Sequence, residues 1–196
     1  MTDNKSSKKN AILTIPNLLS FTRILLIPLI VWFYVGLKNI ALAAVALAAS
    51  ALSDIIDGPI ARKFNQVSEF GKLLDPIADK FTQAALLFCI VVRFRLVLLL
   101  LLIFVLKEAT MVVFGAICLE KTSEFSSARW YGKANTVLLE IVICVLLFIP
   151  GIPAALANAL IIMCMVSVVS SLILYISYYL KLFSQAQDAK TGEVHK

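Results

Sequence analysis

Asp54-Ile55-Ile56-Asp57-Gly58-Pro59-Ile60-Ala61-Arg62, followed after eight residues by Gly71-Lys72-Leu73-Leu74-Asp75-Pro76-Ile77-Ala78-Asp79, is the stretch from which the rest of the chain is read. It holds four carboxylates at spacings of three and four, on either side of a polar linker from Lys63 to Glu69. Residues three or four apart share one face of an α-helix, so each half of the stretch can present two acids to a common cleft. Four acids in one place repel one another unless cations neutralise them, and ligands that are all oxygen select a hard cation such as Mg²⁺, Mn²⁺ or Ca²⁺. The bland alternative, a solvated loop between two helices, fits poorly because apolar residues flank the acids.

The chain of 196 residues is 61% hydrophobic and only 15% charged. A soluble domain carries about a quarter of its residues as charges, and the mean hydropathy of +0.94 makes a bilayer the natural solvent. The net charge of +6 then suits anionic lipid headgroups. No aromatic-interleaved basic surface or nucleic-acid motif is present, so a nucleic-acid partner is excluded. Cys89, Cys118, Cys144 and Cys164 stand singly in apolar stretches and read as small hydrophobes without a disulfide or metal role. His195, the one histidine, lies in a polar tail, which argues against imidazole acid–base chemistry.

The pattern predicts an all-α membrane protein: six transmembrane helices preceded by a short interfacial helix, in a single domain over 1–196 with polar tails at 1–11 and 183–196. The interfacial helix is expected over Ile12–Ser20, with Pro16 in its first turn. The spans are expected over Phe21–Leu37, Ile40–Ala61, Phe70–Val92, Leu96–Leu119, Ala134–Ile149 and Ala154–Leu180, with a polar loop over Glu120–Lys133 and a tight break at Pro150–Pro153. Six spans place both termini on one side. That side collects Lys5, Lys8, Lys9, Arg62, Lys63, Lys72, Lys121, Arg129, Lys133, Lys181, Lys190 and Lys196, against Lys38, Arg93 and Arg95 on the other. By the positive-inside rule the first group is cytoplasmic. The four acids then fall in the cytoplasmic half of the bilayer. A charge near the bilayer centre costs about 2.5–3.5 kcal/mol on insertion scales, so four cost on the order of 10 kcal/mol without compensation. A water- and metal-filled cavity open to the cytoplasm solves this.

Asp-x2-Asp-Gly-x2-Ala-Arg-x8-Gly-x3-Asp-x3-Asp is the signature of the CDP-alcohol phosphotransferases, and the chain resembles that family at every fixed position from Asp54 to Asp79. The resemblance implies transfer of a substituted phosphate from a CDP-linked donor to an alcohol, with release of CMP. It implies that Asp54, Asp57 and Asp75 are metal ligands for Mg²⁺ or Mn²⁺, in two sites, and that Asp79 deprotonates the acceptor hydroxyl and touches the second metal. Two metals together stabilise attacking and leaving oxygens, which suits a direct displacement where no Ser, Cys or His nucleophile is at hand. Gly58, Ala61, Arg62 and Gly71 are the candidate donor-binding residues. The glycines let a nucleotide approach the backbone and Arg62 offers planar donors to a diphosphate. Helix packing at the two glycines and a topology-setting charge at Arg62 are the alternatives.

Thr14-Ile15-Pro16-Asn17-Leu18-Leu19-Ser20-Phe21-Thr22-Arg23 and Gly71–Lys80 resemble the bacterial phosphatidylglycerophosphate synthase and cardiolipin synthase branches, which implies CDP-diacylglycerol as donor and a homodimer in the cell membrane, its active site facing the cytoplasm. Lys107, Arg129 and Lys133 are the candidate acceptor-binding cations, and they put glycerol 3-phosphate ahead as acceptor. Lys107-Glu108 replaces the Arg-Glu usual in phosphatidylglycerophosphate synthases, and Gly132-Lys133-Ala134-Asn135-Thr136 replaces their Gly-Lys-x-Lys-Thr. The second departure leans towards the cardiolipin synthase type, whose acceptor is phosphatidylglycerol. Lys107 and Glu140 also read as members of buried ion pairs. A small cation or proton transporter would likewise bury acids, but would spread them across membrane depth or repeat them in two halves; here they cluster and no repeat is visible.

Overall fold

A computed structural model of the chain describes residues 15–63, 69–122 and 130–194. They form six helices: α1 (Ile15–Val31), α2 (Ile40–Lys63), α3 (Glu69–Val91), α4 (Leu96–Thr122), α5 (Trp130–Phe148) and α6 (Ala154–Val194), and no strand occurs among the described residues. The chain divides into two compact units, Met1–Arg93 and Phe94–Lys196.

In the first unit α1 packs against both α2 and α3. Its buried face is Ser20, Arg23 and Ile30, at helical spacing. The facing stripe of α2 is small (Ala43, Ala46 and Ser50) and permits close backbone approach. Gln83, Leu86, Leu87 and Ile90 are buried on α3. Of the expected interfacial helix, residues 15–20 are described, and they run without a break into the first span: α1 continues through a π-helical turn over Trp32–Gly36. Nothing between Ser20 and Phe21 breaks a helix, since neither Gly nor Pro is there. Pro28 within α1 removes one backbone donor, and one turn later the wider hydrogen bond from Leu37 N–H to the Trp32 carbonyl (3.0 Å) closes the π turn. Lys38 then adopts a left-handed φ of 50°. Asn39 caps α2, its Oδ1 accepting from the Leu42 N–H at 3.0 Å.

In the second unit α6 packs against α4 and α5. Buried positions on α6 recur at alternating steps of four and three: Ala157, Ile161, Cys164, Val168, Ser171 and Tyr175. On α4 Val97, Leu100, Phe104 and Lys107 follow the same repeat, as do Gly132, Asn135, Leu139, Val142 and Leu146 on α5. A period of 3.5 residues keeps one seam facing its neighbour and favours shallow left-handed crossings. The opposite faces carry Leu98, Leu102, Val105, Val112, Val137, Ile141, Ile162, Val166 and Ile173, all exposed. Apolar surface on that scale belongs in lipid. Among the described residues, three helices are long and apolar enough to cross a membrane, over Leu96–Cys118, Trp130–Phe148 and Ala154–Leu182, whereas Ser20–Gly36 and Ile40–Ser53 are shorter apolar stretches. In the first unit charges interrupt the apolar runs: Arg23 in α1, Asp54 and Asp57 in α2, Asp75, Asp79 and Lys80 in α3. The polar segment from 183 onwards, read as a tail, continues α6 to Val194, because Ala, Gln and Lys in it are good helix formers.

Four threonine hydroxyls inside the helices are satisfied locally. Thr22, Thr82, Thr110 and Thr136 each donate to the carbonyl four residues back, as groups removed from water require. The cysteines are free thiols, with Cys89, Cys118 and Cys164 buried and Cys144 exposed.

Among the described glycines, Gly132 has the closest neighbour. Tyr175 stands edge-on to Tyr131 (centroids 4.8 Å apart) and stacks near Tyr179 (6.4 Å), which in turn stacks on Phe114 (5.7 Å). A Cβ at Gly132 would run into the Tyr175 hydroxyl. Gly132→Ala is therefore expected to destabilise by about 1–3 kcal/mol, the range for overpacking, seen as a lower Tm in detergent. An unchanged Tm would mean that the Tyr175 ring swings aside without loss.

Candidate functional site

The helical backbone runs through both halves of the four-acid stretch. Asp54, Asp57, Gly58, Ala61 and Arg62 fall in the C-terminal half of α2, and Gly71 and Asp75 in the first two turns of α3. The side chains of all of these lie outside the described residues, as does residue 129, the expected acceptor cation Arg129. Because α1 packs on both helices, the two acidic segments share one scaffold, and unbroken helix keeps the spacings of three and four on single faces.

Asp79 is described in full. Its side chain is half exposed (50%), and its Oδ1 accepts a hydrogen bond from Arg23 Nη1 at 2.5 Å, while the Arg23 side chain is only 3% exposed. This is a charge-assisted pair joining α1 to α3 over 56 positions of sequence. Next to it, Lys80 Nζ reaches Gln83 Oε1 at 3.5 Å. Pro76 lies inside α3, where the missing N–H leaves the carbonyl four residues earlier without its usual donor. The sequence alone gives Arg23 no role beyond interrupting an apolar run. The signal for the pair is the charge itself, since an arginine in an apolar helix needs a carboxylate partner when it is buried.

The remaining candidates belong to the second unit. Lys107 is buried on α4, and its ammonium donates to the adjacent Glu108 carboxylate at 2.7 Å. Lys133 is exposed in the first turn of α5, where a solute can meet it. Asn135 is buried, and its Oδ1 accepts from the Ser167 hydroxyl on α6 at 2.9 Å. Glu140 is exposed. A cavity of about 250 Å³ between α5 and α6 is lined by Asn135, Ser167, Ser170 and Ser171 beneath Trp130 and Tyr131. It offers neutral polar groups and no charge. In the first unit, a groove of about 510 Å³ beside the π turn is apolar, walled by Pro28, Val31, Trp32, Val35, Ala85 and Phe88, and suits hydrocarbon only.

The model of the CDP-alcohol phosphatidyltransferase family matches residues 13–182. Among curated relatives, the chain is 35% identical over 130 residues to a cardiolipin synthase (CMP-forming) of Streptomyces coelicolor, a match covering 64% of this chain and 60% of that protein. It is 36% identical over 131 residues to a CDP-diacylglycerol–glycerol-3-phosphate 3-phosphatidyltransferase of Aquifex aeolicus, covering 66% of this chain and 72% of the relative. A protein of the same name from Rickettsia typhi is 43% identical over 68 residues, 34% of this chain and 38% of its own length.

Proposed function

Because the chain belongs to the CDP-alcohol phosphatidyltransferase family, we propose that it transfers the phosphatidyl group of CDP-diacylglycerol to glycerol 3-phosphate, forming phosphatidylglycerophosphate and releasing CMP. The observation that carries this reading is the complete Asp54–Asp79 signature on two helices that share α1 as their packing partner. An acceptor hydroxyl oxygen attacks the phosphatidyl phosphorus, the bond from that phosphorus to the CMP oxygen breaks, and CMP leaves with the electron pair. Asp79 takes the hydroxyl proton, and its half-exposed carboxylate is open to a solute. Gly58, Ala61, Arg62 and Gly71 hold the cytidine diphosphate portion, Arg62 through its planar donors. Asp54, Asp57, Asp75 and Asp79 form an all-oxygen donor set that fits Mg²⁺ or Mn²⁺, two of which would neutralise the attacking and leaving oxygens when bound. Lys133, exposed at the start of α5, and Arg129 attract the acceptor phosphate. Lys107, the third candidate, is buried and donates to the adjacent Glu108 carboxylate, which leaves it a lesser part in this recognition.

The same reading has six spans in the cell membrane, a cytoplasmic-facing site and a homodimer. Charge placement supports the orientation, and the apolar outer faces of the helices support the lipid surroundings. Phosphatidylglycerol is the second acceptor to consider, because Asn135 is buried against Ser167 where a phosphatidylglycerophosphate synthase would carry lysine, leaving an uncharged pocket.

One assay separates these possibilities: CMP release from CDP-diacylglycerol with glycerol 3-phosphate or phosphatidylglycerol, in sealed vesicles of known orientation. Inverted vesicles should use glycerol 3-phosphate added outside and right-side-out vesicles should not. Cardiolipin from phosphatidylglycerol, with no use of glycerol 3-phosphate, would replace the first acceptor by the second. No CMP with either acceptor would end the phosphatidyl-transfer reading.

A further inference from the structure

We propose that Arg23 is a positioning residue for Asp79, fixing the direction in which this carboxylate meets the acceptor hydroxyl; the inference rests on Asp79 acting as the base. The two partners are unequal. The Arg23 side chain is 3% exposed and the Asp79 side chain 50% exposed. Arg23 shares the buried face of α1 with Ser20 and Ile30, and α1 is packed against α2 and α3, so the guanidinium is immobilised by its surroundings. Asp79 stands at the open edge of the same contact. A half-exposed aspartate has several rotamers of similar energy. A charge-assisted contact of 2.5 Å to one oxygen selects one of them and so sets the bearing of the other oxygen.

A tether between α1 and α3 is the competing explanation, and two observations speak against it. Apolar contact already joins the helices: Ile30, Leu86, Leu87 and Ile90 are buried at 7% exposure or less. A buried ion pair is also weak evidence for stability, since apolar replacements of similar volume hold a fold as well or better. A guanidinium buried in a membrane helix, with its partner left open to solute, is instead the arrangement of a reactive group held by a rigid support.

The test uses the full chain in lipid nanodiscs with CDP-diacylglycerol and the acceptor that the wild type turns over. Arg23→Gln should lower kcat roughly a hundredfold, as misplacing a reacting group by about 1 Å does, with KM for both substrates within about twofold. Arg23→Lys keeps the charge but not the planar fork, and should recover about tenfold of that loss. If Arg23→Gln does not fold, Arg23→Lys decides alone, by a kcat about tenfold below wild type at unchanged KM. Wild-type kcat in either variant would overturn the proposal. So would a rise in KM, with or without a fall in kcat, because Arg23 would then be binding substrate. Asp79→Asn run alongside keeps the two failures apart. Wild-type kcat there means that the base reading has failed, whereas a loss there beside wild-type kcat in Arg23→Lys means that only the positioning role has.

Discussion

Asp75→Asn is expected to lose roughly a thousandfold or more in turnover while the protein remains folded. A metal clamp on the transferring phosphoryl group is worth several kcal/mol of transition-state stabilisation, and each 1.36 kcal/mol is tenfold in rate. The amide is nearly isosteric with the carboxylate but weakens one ligand and subtracts a negative charge from a set of four. Without metal, that subtraction relieves repulsion among Asp54, Asp57, Asp75 and Asp79, so Tm should hold or rise. The opposite movement of activity and stability separates a functional cluster from a structural one. Chelation should abolish wild-type activity, and added Mg²⁺ or Mn²⁺ should restore it. Full activity in excess chelator, or wild-type kcat in Asp75→Asn at saturating Mg²⁺, would remove the metal-assisted mechanism.

Lys133→Ala should raise the KM for glycerol 3-phosphate about ten- to a hundredfold and leave that for CDP-diacylglycerol nearly unchanged. The estimate is that of a lost charge-assisted contact, about 1.5–3 kcal/mol. Of the three cations considered for this role, Lys133 is the one seen exposed, whereas Lys107 is buried and already donates to Glu108. A small dianion arriving from water meets the exposed ammonium first. Equal KM values in Lys133→Ala and wild type would move acceptor recognition elsewhere. With phosphatidylglycerol as acceptor, whose phosphate stays at the lipid interface, the substitution should matter little.

The parts of the fold that sequence made legible are those set by local chemistry. Lys38-Asn39 ends one helix and caps the next, and Pro150–Pro153 separates α5 from α6. The helical nature of the runs followed from their length and apolar content. Which face of each helix turns inward did not, because lipid and core accept the same side chains. Leu98 is 49% exposed and Leu100 is 1% exposed, although the residues are identical. The 3.5-residue seam emerges only once neighbours are in place. The four acids stand out in the sequence because their spacing is local to two short segments, and Asp79 is the one among them whose side chain the structure describes; its partner is not legible in the sequence. The contact with Arg23 spans 56 positions, and no local pattern encodes which carboxylate a buried arginine will find. The continuation of α6 to Val194 is hidden for a different reason: polarity after Leu182 marks the end of the apolar window, not the end of the helix.

That last helix divides into two physically different parts. Its 41 residues extend about 60 Å at 1.5 Å per residue, twice the thickness of a hydrocarbon layer of about 30 Å. The apolar window closes at Leu182, so about 18 Å of helix continues beyond it. A free peptide of that length would remain mostly coil, because the first turn is costly to nucleate in water. Here the nucleus is supplied by the packed turns before it, and each later residue adds only a propagation step. The polar end is therefore a zipper with one fixed end: it opens from Val194 inward, and its amides exchange with solvent along a gradient that ends at the apolar boundary.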